Sequence, residues 1–104
     1  MREAKYRREV FRNLQEYLKK IYRVVSMLDG DAEVYLFGSV AEGRSLYSSD
    51  IDILVVSKLP PSVIMDELWR AGVKDPFEIH VVGRDKLELY RKRSKLVPVN
   101  EKTV

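Results

Sequence analysis

The stretch GSVAEGRSLYSSDID, Gly38 to Asp52, lies between two apolar runs, Val34-Tyr35-Leu36-Phe37 before it and Ile53-Leu54-Val55-Val56 after it. Runs of this length, rich in β-branched and aromatic residues and bounded by turn residues, read as strands. Gly38 and Ser39 therefore stand where one strand ends. Asp50 and Asp52 stand where the next begins, over Asp50 to Val56. The eleven residues from Ser39 to Ser49 are too many for a tight hairpin turn. They accommodate a short helical turn before Ser48-Ser49 leads into the second strand.

Each residue type has a physical use. Gly38 lets a phosphate approach the backbone. Ser39 supplies a hydroxyl, and the backbone behind it offers N–H groups that attract anions. Asp50 and Asp52, two apart on a strand, point to one face about 6.6 Å apart along the chain. Paired carboxylates are hard oxygen ligands suited to Mg²⁺. Arg44 is a candidate phosphate partner, and Tyr47 a packing residue or a base platform.

The motif of Gly-Ser, ten residues, then Asp-x-Asp resembles that of the DNA polymerase beta-like nucleotidyltransferases, in particular the minimal nucleotidyltransferase (MNT) group. Gly43 falls at a common glycine position of that motif. A chance match of four such residues at this spacing occurs on the order of once per thousand chains of this length. The resemblance extends loosely over residues 10–93. It implies an α/β fold of the α+β type, a mixed sheet of three or more strands with helices packed on it. It also implies a third acidic residue, for which Glu78 stands at the matching position. The family usually has aspartate there, and glutamate is one methylene longer. Asp50, Asp52 and Glu78 are thus the candidate catalytic and metal-binding residues, and Gly38, Ser39 and Arg44 the candidate nucleotide-binding ones. The implied cofactor is Mg²⁺, two ions, with Mn²⁺ as an alternative.

Chain length fits one domain over 1–104, with a core of about 10–93 and a tail from residue 94 that is either extended or flexible. There is no cysteine, hence no disulfide framework and no thiolate metal site. No apolar run approaches the ~20 residues of a membrane span, and the basic N-terminus lacks a signal-peptide core, which points to the cytoplasm. The net charge of +3 is unevenly spread, with basic ends around an acidic middle that holds the motif. Such a pattern suits a cation site flanked by groups that attract phosphate or an acidic partner, or else solvated helix faces.

Outside the motif, Phe11, Leu14, Leu18, Ile21, Val25 and Leu28 recur at helical spacing, which predicts one helix from Val10 to Leu28 after a frayed start. Gly30 is its expected left-handed cap. The wide apolar stripe covers a sheet or meets a partner subunit. Pro60-Pro61 prepares a second helix with Ile64, Met65, Leu68 and Trp69 on its apolar face and Gly72 beyond its end. Trp69 is read as core. Residues 77–82 form a third strand carrying Glu78 and His80 on one face. His80 is read as a buried, hydrogen-bonded residue, or else a substrate contact. Arg84 to Arg93 form a last helix.

If Ser39, the aspartates and Glu78 are to meet at one sheet edge, the first strand must run antiparallel to the second, and the third parallel to it. Three carboxylates within about 6 Å repel pairwise by roughly 2–3 kcal/mol at an effective dielectric of 20, which a cation would remove. The functional expectation is transfer of a nucleoside monophosphate, AMP from ATP or another nucleoside triphosphate, to an acceptor hydroxyl. The MNT resemblance further implies a small helical HEPN-type partner as acceptor, in a toxin–antitoxin pair. The alternatives are a non-catalytic partner-binding antitoxin and, ranked last, a nucleic-acid-binding module.

Overall fold

The computed structural model describes residues 2–44 and 49–102. The N-terminal helical stretch is two helices, α1 (Arg2–Arg12) and α2 (Leu14–Leu28). This corrects two expectations: the stretch from Arg2 is helical where a frayed start was expected, and no single helix runs from Val10 to Leu28. The break falls at Asn13, whose φ/ψ of −107°/26° is not helical. Its side-chain Nδ2 donates to the Glu9 carbonyl at 3.0 Å. An asparagine that bonds the backbone in this way competes with the helix ladder.

Leu18, Ile21 and Val25 of α2 are buried against the sheet, so the apolar stripe is used within this chain. The helix ends at Asp29, not through Gly30. The left-handed glycines are Gly38, Gly43 and Gly72. Asp29 is extended, and its N–H donates to the Val25 carbonyl at 2.9 Å. Its carboxylate accepts from the Asp31 N–H at 3.0 Å, closing a side-chain turn.

The chain then forms β1 (Glu33–Phe37), a one-turn helix α3 (Gly38–Ala41), β2 (Ile51–Val56), α4 (Pro61–Arg70) and β3 (Phe77–Val82). A 3-10 turn, Arg84–Lys86, leads into α5 (Leu87–Arg93), and β4 (Val97–Val99) follows. Helix α4 begins on the expected proline pair and is followed by Gly72 at φ 92°. Strand β2 is one residue shorter than expected, because its pairing with β3 starts at Ile51 opposite Phe77. Tyr47 and Ser48 lie outside the described residues.

The sheet order is β3-β2-β1-β4. β1 runs antiparallel to β2 and β3 parallel to β2, as the site argument required. The tail contributes the fourth strand, with Leu36 opposite Val97 and Val34 opposite Val99. The mixed α/β fold is therefore as expected, with one more strand than the motifs define.

Alternation along the strands divides the sheet into two faces. Val34, Leu36, Ile51, Ile53, Val55 and Phe77 pack under α2 and α4 in the main core. Phe37, Leu54, Val56 and Leu87 form a second, smaller cluster, with Tyr35, Val82, Tyr90 and Leu96 against it. The acidic residues of β2 and β3 share this thinner face. Among the described residues, no helix is long and apolar enough to cross a membrane.

Candidate active site

The register of the two ladders builds the site. Phe37, the last residue of β1, lies opposite Asp52, and Asp52 lies beside Glu78 on β3. The chain leaves β1 through Gly38, at φ 77°. A Cβ at that position would lie 2.3 Å from Asp52 Oδ2. Glycine is thus required twice, once for the left-handed backbone and once for the close approach of the carboxylate.

His80 follows two residues after Glu78, in register with Leu54. Its Nε2 lies 3.5 Å from Asp52 Oδ1 and 3.6 Å from Glu78 Oε1. One donor atom from each of Asp52, Glu78 and His80 falls within 4.8 Å of the others. His80 Nε2 is buried with no hydrogen-bond partner among the described residues, which corrects the reading of a hydrogen-bonded histidine. An aromatic frame surrounds the ring. Phe37 meets it edge-on at 5.2 Å between centroids, and Tyr90 stands 5.6 Å from Phe37 and 6.5 Å from His80.

The other expected residues are arranged around this trio. Asp50 is exposed, one residue ahead of β2, and is not part of the three-residue cluster. Ser39 is half-buried in the single turn of α3. Arg44 is exposed and donates to Glu42 Oε1 at 2.7 Å, while its N–H closes the turn onto the Ser39 carbonyl at 2.9 Å. Arg7 of α1 reaches the Ser49 carbonyl at 3.3 Å, just ahead of Asp50. The structure thus brings together Asp52, Glu78 and Gly38, adds His80, and leaves Asp50 and Arg44 at the rim.

The donor set is chemically coherent. Two carboxylate groups and one imidazole nitrogen are all ligands for divalent cations. They sit on a strand pair at the mouth of a one-turn helix, with the Asp52 carboxylate close against Gly38. Residues 18–101 match the nucleotidyltransferase domain family. The chain belongs to that family. No solved structure matches the chain. In this nucleotidyltransferase domain, the matched span runs across the stretch from Gly38 to Asp52 and across the positions of Glu78 and His80.

A groove of about 840 Å³ lies elsewhere, lined by Tyr17, Met65, Trp69, Phe77 and Ile79 among others. Trp69, expected in the core, is 59% exposed there, with Lys74 Nζ 4.6 Å from its ring centroid. The position on α4 that is buried in its place is Leu68. Phe77 and Ile79 belong to the main-core side of the sheet, so this groove does not open onto Asp52. The sequence signal missed at the site was the aromatic frame. Phe37 and Tyr90 lie far apart in the chain and meet only through the fold.

Proposed function

We propose that this nucleotidyltransferase domain is a minimal nucleotidyltransferase that transfers AMP from ATP to a hydroxyl presented by a partner protein. The observation that carries this reading is the pairing of Asp52, the last residue of the Gly-Ser…Asp-x-Asp motif, with Glu78 on the neighbouring strand, close to Gly38. In the reaction the acceptor oxygen attacks the α-phosphorus, the bond to the bridging oxygen breaks, and pyrophosphate leaves. Bound divalent ions, Mg²⁺ by preference of the family resemblance, would supply charge neutralisation and activation of the acceptor hydroxyl. Asp52 and Glu78 would hold them, with Asp50 at the rim completing the set. Gly38 lets the Asp52 carboxylate lie close against the backbone, Ser39 offers a hydroxyl, and Arg44 offers charge if it exchanges Glu42 for phosphate.

The acceptor is assigned to a partner protein because the MNT resemblance implies one. A helical HEPN-type protein in a toxin–antitoxin pair fits that requirement and the MNT resemblance. The test is incubation of the domain with ATP, Mg²⁺ and the product of the neighbouring gene. Mass spectrometry should show a gain of one AMP on the partner with the natural sequence and none with Asp52→Asn. A partner that is bound and silenced yet never modified would remove the catalytic reading.

One observation favours a second reading, a non-catalytic subunit that silences its partner by binding. Asp50 stands outside the acidic cluster, so the two aspartates of the motif do not converge in the free chain. Retention of partner binding by Asp52→Asn, with no modification by either form, is the outcome that reading requires.

A further inference from the structure

The third donor of the cluster differs in kind from the other two. Asp52 and Glu78 offer oxygen, His80 offers nitrogen, and that nitrogen is buried without a hydrogen bond. Its distances to the two carboxylates, 3.5 and 3.6 Å, exceed the 2.7–3.2 Å of an N–H···O bond. Two ligands about 2.0–2.2 Å from one ion, at tetrahedral to octahedral angles, are roughly 2.8–3.6 Å apart. The spacing therefore corresponds better to a shared cation than to a direct hydrogen bond. Phe37 and Tyr90 pack edge-on around the ring and hold it on the side of Asp52.

We propose that His80 Nε2 is a nitrogen ligand to the cation held by Asp52 and Glu78, and that it biases this site toward transition ions such as Zn²⁺ or Co²⁺ over Mg²⁺. The inference rests on the reading of Asp52 and Glu78 as a metal site. Mg²⁺ takes oxygen ligands and dehydrates reluctantly, so an imidazole contributes little to holding it. First-row transition ions bind imidazole well, and replacing one oxygen by nitrogen raises their affinity selectively.

His80 is the sole histidine of the sequence, which makes the test direct. A tag-free chain labelled with ¹⁵N in its imidazole gives two ring-nitrogen signals, both from His80. The chain is titrated with Zn²⁺, and separately with Mg²⁺, in the absence of nucleotide. Zn²⁺ is expected to move the Nε2 signal far more than Nδ1 and to saturate, while Mg²⁺ moves neither appreciably. His80→Gln is expected to weaken Zn²⁺ binding about tenfold or more and Mg²⁺ binding by less than about twofold.

Zn²⁺ that leaves both nitrogens unmoved overturns the proposal, as does a shift confined to Nδ1. Equal weakening of both ions by His80→Gln also overturns it, since that is the mark of a structural role. So does an undiminished Zn²⁺ shift in Asp52→Asn, because His80 would then bind apart from the carboxylates. Should His80→Gln not fold, the signals of the natural chain still decide. AMP transfer is not read in any arm. A chain that binds Zn²⁺ through His80 yet modifies nothing keeps this inference and removes the functional one.

Discussion

Two carboxylates mark the two ends of β2, and their oxygens are used in opposite ways. Beyond its C-terminal end, Asp29 is 6% exposed and accepts from the Ser57 hydroxyl at 2.7 Å, the Asp31 N–H at 3.0 Å and the Lys58 N–H at 3.4 Å. The Ser57 oxygen in turn accepts from the Leu59 N–H at 3.1 Å. At the other end, the Asp52 carboxylate accepts no hydrogen bond among the described residues and has only the 3.5 Å approach of His80. A carboxylate saturated by its own chain fastens the end of α2 to the end of β2. One left open stores unused acceptor capacity, which stabilises nothing until a ligand arrives. The acidic residues that hold the fold are thus separated, by the length of one strand, from those available for chemistry.

The sharpest way to break that comparison is Asp52→Asn. Nucleotidyl transfer should fall about a thousandfold, some 4 kcal/mol of transition-state stabilisation. The melting temperature should hold or rise, because no hydrogen bond is lost and a repulsion with Glu78 is relieved. A marked drop in thermal stability would mean that Asp52 is a structural residue like Asp29.

Gly38→Ala comes next in size. The new Cβ meets Asp52 Oδ2 at 2.3 Å on a backbone at φ 77°, so both sterics and conformation oppose it. A cost of about 1–3 kcal/mol is expected in denaturant unfolding, together with loss of transfer. Removing the carboxylate as well, in Gly38→Ala/Asp52→Ala, should restore part of the stability and none of the activity. Strictly additive effects would show that the two residues do not touch in solution.

Ser57→Ala tests the other end. It deprives buried Asp29 of its shortest hydrogen bond and should lower the melting temperature by roughly 5–10 °C, with transfer kinetics unchanged. A loss of activity without a loss of stability would reverse the roles assigned to the two ends.

The smallest effect is in acid. The Ser57 hydroxyl, then the Asp31 N–H, hold the Asp29 carboxyl below its ordinary value. Tyr35, then Arg84, do the same for Glu33. Both groups bind protons more weakly folded than unfolded. The stability they contribute is complete above the ordinary carboxylate range, near pH 4, and is lost as pH falls through the depressed values. The urea midpoint of Asp29→Asn should therefore change less between pH 6 and pH 3 than that of the natural chain. Equal acid sensitivity would place the titrating groups elsewhere.

The elements legible in the sequence were those set by short-range pattern. Ile53 to Val56 and Val34 to Phe37 announce strands by their apolar runs. The requirement that Asp52 and Glu78 meet then orders and orients three strands. What escaped depends on competition between neighbours. Asn13 breaks a helix whose apolar periodicity runs on regardless, because one side-chain bond to Glu9 outweighs the pattern locally. Gly30 looked like a cap, but Asp29 ended the helix first through its own carboxylate. Trp69 and Leu68 are adjacent apolar residues, and only the angle of α4 on the sheet selects which is buried. Asp50 and Asp52 share a face by alternation, yet the ladder begins between them, at Ile51. The surroundings of His80 depend on Phe37 and Tyr90, whose meeting no local spacing encodes.

The pairing of Leu36 with Val97 also has a bearing on synthesis. As the chain emerges from the ribosome, β1 gains β2 on one side early. Its other side stays bare until Val97 to Val99 has been made, and an unpaired strand edge is an invitation to neighbouring nascent chains. The sheet closes only when residues 97–99 are out. Loop closure between such distant segments is slow relative to local helix formation. The domain is thereby set to mature after translation has passed its last strand, and not piece by piece along the way.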